Sequence, residues 1–233
     1  MSDVFSIVAI ASVGALAIAY NVAVVTRARG GGDRRSLHAV MIDGGASFIA
    51  KHLEKDDAAT SVLAVQSLRN TILVAIFIGG IAFQAFQTAA AAAGAAADSV
   101  SSARSLVFSA FLLGSFLNFA LVIRAASHLA YIMGGARYAA TGVGDAIVLE
   151  EGRGRGSPAT PPPTSRDAAA LCGSLMRALS LHFSLGFRCL YSSVPFAYAA
   201  SGPVALVISG GLMLAFLLYA DFALHAGARA LED

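Results

Sequence analysis

Apolar positions in this chain gather into long unbroken blocks, without the alternation of a half-buried strand or the narrow stripe of a surface helix. A hydrocarbon layer about 30 Å thick is crossed by roughly 20 apolar residues in a helix. The first block, Val4 to Val25, meets this with no charge inside it. A second runs from Val62 to Ala93, its spanning part at about 62–87. The third covers Leu106 to Ile123 and the fourth Pro203 to Ala220. These blocks predict an all-α, integral membrane four-helix bundle, a single membrane domain over residues 1–233. A signal peptide is the other reading of the first block, with Ala17-Ile18-Ala19 as cleavage site. Asp3 and the lack of any Lys or Arg ahead of the block favour a retained span.

Composition strengthens the membrane reading. Hydrophobic residues make up 57% of the chain, charged residues only 13%, and mean hydropathy is +0.72. Soluble domains carry about a quarter charged residues, so too few are present here to cover a water-exposed surface. A net charge of +2 without aromatic interleaving gives no reason to expect nucleic acid. Cys172 and Cys189 have neither metal nor redox spacing and read as small apolar fillers.

Lys and Arg set the expected orientation. Arg27, Arg29, Arg34, Arg35, Lys51, Lys55 and Arg69 fall between the first two spans or at the start of the second. Arg124, Arg137, Arg153, Arg155, Arg166, Arg177 and Arg188 fall between the third and fourth. Four spans thus place fourteen of the sixteen basic residues on one side, the cytoplasm or its equivalent, leaving Arg104 and Arg229 on the other. Both termini are then expected on the non-cytoplasmic side of a multi-pass protein.

Ala178 to Ala200 tests this count. The segment is apolar enough for a fifth span or a re-entrant element, but it holds His182, Arg188, Pro195 and several serines. An arginine in mid-membrane is costly unless it faces protein or water. Leu171, Leu175, Leu179, Phe183 and Phe187 recur every four residues, with Arg177, Ser184 and Arg188 on another face. The expectation is therefore a cytoplasmic amphipathic helix, with a fifth span as the alternative. A second amphipathic candidate is Ser36 to Leu53, interrupted by Gly44-Gly45. Residues 150–167 contain four of the six prolines and three glycines, and predict a flexible cytoplasmic linker.

The polar residues inside apolar helices are the candidate site. Gln66, Arg69 and Asn70 open the second span on one helical face. Asn118 lies inside the third, and Arg124 and His128 follow one turn apart at its cytoplasmic exit. Arg188 completes the group. One reading is a polar path or vestibule; the other is an internal network that ties helix ends together, with Arg69 snorkelling. Small residues four apart (Ala11, Ala15, Ala19 and Ala23; Ala75 and Gly79; Ala110 and Gly114) permit close helix packing or an oligomer interface. No HExxH, GxSxG, Walker loop or CxxC occurs. The sequence thus points to no enzyme, cofactor or metal.

VLAVQSLRNTIL (Val62 to Leu73) resembles the strongest signature of the family known as domain of unknown function 599, small multi-span membrane proteins of plants, algae and bacteria. IRAASH (Ile123 to His128) and SLGFRCLYSSVPFAYAASGP (Ser184 to Pro203) agree with the same pattern in order. Members often carry tryptophans in the first connection and near the final span, and this chain has none. The resemblance implies a four-helix membrane fold and a shared arrangement of Gln66, Arg69, Asn70, Arg124, His128 and Arg188, without an activity. Two functions are expected from the residues. The first is an oligomeric channel or permease with a basic, anion-favouring cytoplasmic vestibule. The second is a structural or scaffolding subunit of a larger membrane complex. Its partners are then the lipid bilayer and either further copies of the chain or other membrane subunits.

Overall fold

A computed structural model of the chain describes residues 2–29, 44, 47, 58–140 and 165–223. Five helices among them are long and apolar enough to cross a membrane. They are α1 (Ser2–Arg29), α2 (Ala58–Ala95), α3 (Ser99–Ala140), α4 (Ser165–Tyr198) and α5 (Pro203–Leu218), and the chain is a multi-pass membrane protein. A 3₁₀ turn (Ala199–Ser201) joins α4 to α5, and a π-helical turn (Tyr219–Ala223) follows α5. The candidate helix at Ser36 to Leu53 lies outside the described residues except at Gly44 and Ser47. The linker expected at 150–167 lies outside them as far as residue 164, and its last three residues already belong to α4.

Five helices of span length stand where four were expected. The added one is α4, which carries Ala178 to Tyr198 in a continuous helix and leaves Ala199 and Ala200 to the 3₁₀ turn that follows. Its polar residues argued against crossing, yet they turn inward and find partners on other helices, so the penalty is met inside the bundle. Pro195, inside the last turn and a half of α4, is also buried. The expectation that both termini share a side belongs to the four-span count, and the packing of α1 on α5 bears on it. Ile10 packs near Leu206, Ala17 near Met213, and Tyr20 reaches Asp221. Hence α1 and α5 run parallel, and the start of α1 and the end of α5 lie at opposite ends of the bundle.

α3 and α4 form the central pair, with α2 against α3 and with α1 and α5 against the other flank. The larger core belongs to α2, α3 and α4 alone: Ala64, Leu68 and Ala75 meet Phe119, Val122, Ala126, Leu129, Cys172 and Leu179. Phe119 is its keystone, fully buried, with edge-to-face contacts to Phe183 and Phe187 at centroid distances of 6.0 and 5.2 Å. It fits because both neighbours are glycine at the contact. A Cβ on Gly186 would lie 3.0 Å from the Phe119 ring, and one on Gly79 would lie 3.1 Å from the Phe119 Cβ. Gly210 plays the same part between α5 and α1, where an added Cβ would approach Val13 to 2.9 Å.

The connections are short and locally determined. Asp98 caps α3, its Oδ1 accepting from the Ser101 amide at 2.7 Å. Gly202 turns the chain into α5 with φ +111°, a region that glycine enters without a Cβ clash, and Pro203 then starts the helix. At a rise of about 1.5 Å per residue, the 38 residues of α2, 42 of α3 and 34 of α4 extend about 57, 63 and 51 Å. All three exceed a hydrocarbon layer of about 30 Å, so part of this three-helix unit continues beyond the level at which α5 ends.

Candidate functional site

The most heavily buried charge in the described chain lies where α1, α4 and α5 converge. Arg188 and Asp221 expose only 6% and 8% of their side chains, and the guanidinium Nη2 donates to the Asp221 Oδ1. The π-helical turn after α5 carries Asp221 into this position. The Tyr20 hydroxyl donates to the second carboxylate oxygen, so both oxygens of Asp221 are engaged. Arg188 Nε donates to Ser184 Oγ at 3.2 Å, one turn back on the same helix. The guanidinium carbon stands 5.8 Å from the centre of the Tyr20 ring, within cation–π range. A charge that would be prohibitive in lipid is thus neutralised by a carboxylate and flanked by a hydroxyl and an aromatic face.

Asn21 extends the network along the α1–α4 contact. Its Nδ2 donates to the Ala17 carbonyl at 2.8 Å and to Ser192 Oγ at 3.3 Å. Two polar atoms remain without a partner among the described residues: Arg188 Nη1, a donor, and Asn21 Oδ1, an acceptor. Buried polar atoms are nearly always paired, so a donor and an acceptor left over in one helix interface mark the network as able to take up a further polar group.

A second polar contact joins α3 to α4. Asn118 Nδ2 donates to the Gly114 carbonyl at 2.8 Å, and its Oδ1 lies 3.0 Å from His182 Nδ1. Nearby, Ser115 Oγ donates to the Gly186 carbonyl at 2.9 Å in a buried bond between the same helices. Such bonds hold packed spans in register.

The seven residues singled out from the sequence are divided among two buried networks, a groove and the exposed faces of α2 and α3. Arg188 and Asn118 are in the networks just described. Gln66 and Asn70 line a shallow groove of about 420 Å³ between α2 and Phe183 of α4, with Ser67 and Thr71 as its other polar walls. Arg69 is exposed on α2, and Arg124 and His128 are exposed on α3, on the face that carries Leu117, Leu121 and Tyr131. That face is opposite Phe119, Val122, Ala126 and Leu129, so Arg124 and His128 point away from the core rather than into a vestibule within one protomer. Within the protomer, α2, α3 and α4 are sealed by Phe119, Phe183, Phe187 and Ala75.

Sequence reading missed Tyr20, Asn21 and Ser192. One signal was available. Asp221 is the only acidic residue between Asp167 and Glu232, and an arginine in an apolar helix needs a counter-charge. The family model described as "Protein of unknown function, DUF599" matches residues 8–226, from the first turns of α1 to just past Asp221. No curated protein and no solved structure matches.

Proposed function

The chain belongs to the DUF599 family of proteins of unknown function, and from that premise we propose that it is a permease for small oxyanions or weak acids, worked by Arg188, Asp221, Tyr20 and Asn21. The observation that carries this reading is the guanidinium of Arg188. It is held by Asp221 in the bundle interior, yet keeps one nitrogen unpartnered close to the α1–α4 contact where the Asn21 Oδ1 is also free. A small oxyanion or carboxylic acid accepts from the first and, when protonated, donates to the second. Ionisable groups inside spans are the usual substance of transport paths.

Topology supports access from the basic side. With five crossings, α5 ends on the side where α1 and α3 end. Arg104 is then the only Lys or Arg near the opposite end, a stronger bias than four spans give. The basic residues concentrate anions at the end nearer Arg188.

Purified protein in lipid vesicles, assayed for nitrate, formate and acetate flux, tests the proposal. Flux above that of empty vesicles, abolished by Arg188→Lys in a protein that still folds, is the expected result. Lysine keeps the ion pair but removes the spare guanidinium nitrogen. No flux of any of the three, or flux indifferent to the substitution, excludes the reading. The alternative is a structural or scaffolding subunit, favoured by the groove at Gln66, Asn70 and Phe183, which lies open at the surface. Recovery from native membranes in a stoichiometric complex with another membrane protein is the result that supports it.

A further inference from the structure

The outward face of α2 carries amides at a depth where lipid has no use for them. Gln84 and Gln87 are both exposed, and neither side chain makes a hydrogen bond among the described residues. Gln84 is about 22 Å along the helix from Arg69 and about 17 Å from the helix end at Ala95. Any hydrocarbon layer of about 30 Å set between those two points contains both amides. Thr88 adds no solvation for them, since its hydroxyl is turned onto the Gln84 backbone carbonyl at 3.1 Å.

The surrounding residues are suited to another helix rather than to acyl chains. Gly80 precedes Gln84 by one turn, and a Cβ built on it would meet nothing within 4 Å. Ala91 follows on the same face and is exposed. The side of α2 that faces α3 is the other one, where Ala75, Gly79, Ala82 and Ala89 are buried. The small residues of α2 therefore form two tracks, of which one packs within the protomer and the other, with the two amides, packs against nothing.

We propose that this face is where a second copy of the chain docks, with α2 crossing α2 at Gly80 and with Gln84 and Gln87 of each copy hydrogen-bonded to those of the other. A second copy is the occupant that the chemistry favours. A carboxamide is both donor and acceptor, so identical amides brought together across a two-fold axis satisfy each other, and Gly80 lets the two backbones approach. A lipid tail satisfies neither amide. This inference does not depend on the permease reading.

Energy transfer between donor- and acceptor-labelled full-length protein in phosphatidylcholine and phosphatidylglycerol vesicles, followed as lipid is added, reads association without any transport assay. The wild type is expected to self-associate, and Gln84→Leu with Gln87→Leu to weaken it about tenfold. Gly80→Cys is expected to form a disulfide-linked dimer, and Leu117→Cys on the outer face of α3 to form none. Leucine at both positions makes the face more apolar and leaves the core of the protomer intact, so loss of association is not loss of folding. Four results overturn the proposal: a wild type that stays monomeric at every lipid ratio, association unchanged in the double variant, cross-linking at Leu117→Cys instead of Gly80→Cys, or pairing through this face with a different membrane protein in place of a second copy.

Discussion

Arg188 on α4 and Asp221 beyond α5 form a buried ion pair across 33 residues of sequence, and that pair neutralises the charge that counted against α4 as a span. Neither charge belongs in the membrane alone. Together, with Tyr20 on the second carboxylate oxygen, they join three helices at one point.

The pair therefore predicts an asymmetric mutational response. Arg188→Ala or Asp221→Ala leaves one buried charge unopposed and is expected to destabilise the protein by about 3–5 kcal/mol. Replacing both, as Arg188→Met with Asp221→Leu, is expected to cost far less, because two apolar side chains of similar volume need no counter-charge. Thermal denaturation in detergent of the two single variants and the double variant measures the difference. Additive losses in the double variant would show that the two charges do not interact.

Packing around Phe119 gives a second prediction. A methyl at Gly186 has no room, with Phe119 ring atoms 3.0 Å from the added Cβ, so Gly186→Ala is expected to cost about 1–3 kcal/mol. Phe119→Leu in the same chain should recover part of that loss by removing the ring edge. Gly211→Ala, on the open face of α5 where nothing lies within 4 Å, should be neutral or slightly stabilising, as expected for a helix position with space. Melting temperatures of the three variants in one detergent decide the matter.

What the sequence revealed and what it hid follow from the range of the interactions. The four charge-free blocks were readable because a span that contains no ionisable group declares itself within its own residues. α4 was not, because the partners that neutralise it lie elsewhere: Asp221 is 33 residues away from Arg188, Asn118 is 64 from His182, and Asn21 is 171 from Ser192. The basic and amide residues were grouped by their nearness to one end of the bundle, and helix faces then separated them. Leu117, Leu121, Arg124, His128 and Tyr131 recur at helical spacing on one exposed stripe. That spacing was visible in the sequence, but which stripe faces the core depends on α2 and α4. Tyr20 and Asn21 passed unnoticed because nothing local distinguishes them from residues at the end of an apolar helix.

The turn between α2 and α3 should respond to pH in the acid range. Hydrogen bonds from the Ser101 backbone amide and then its hydroxyl hold the Asp98 carboxyl below the usual carboxylate range. A depressed value in the folded state means that the capping contribution is fully present above the ordinary carboxylate pKa. It is lost as pH falls through the lowered one. Protection of the amides at residues 99–102, measured as exchange relative to an unstructured peptide at the same pH, is expected to fall on acidification below that range in the wild type. Asp98→Asn, which keeps an acceptor oxygen without a titrating proton, should remove the pH dependence while retaining protection. Equal pH dependence in both proteins would place its origin outside the cap.

Topology is the prediction on which the five-span arrangement stands most openly. α1 and α5 run parallel, with Ile10 near Leu206 and Tyr20 on Asp221. A reporter placed before residue 2 and one placed after residue 223 must then lie on opposite sides of the membrane. A reporter in 141–164 should share the side of the second, and one at Ser201 the side of the first. From the distribution of basic residues, the side shared by 141–164 and the residues after 223 is expected to be the cytoplasmic one. Side-specific labelling of single cysteines in sealed vesicles, after replacement of Cys172 and Cys189 by alanine, reads all four positions. Two findings would each restore a four-span chain: labelling of Ser201→Cys from the same side as residues 141–164, or both ends of the chain on one side. In that chain the Arg188–Asp221 pair would have to form without α4 crossing the membrane. The geometry disfavours this, because α4 runs antiparallel along α3 from His182, beside Asn118, past Gly186, bonded to Ser115, to Phe196, stacked on Phe111. An antiparallel helix that matches a spanning partner over that depth passes through the same layer of lipid.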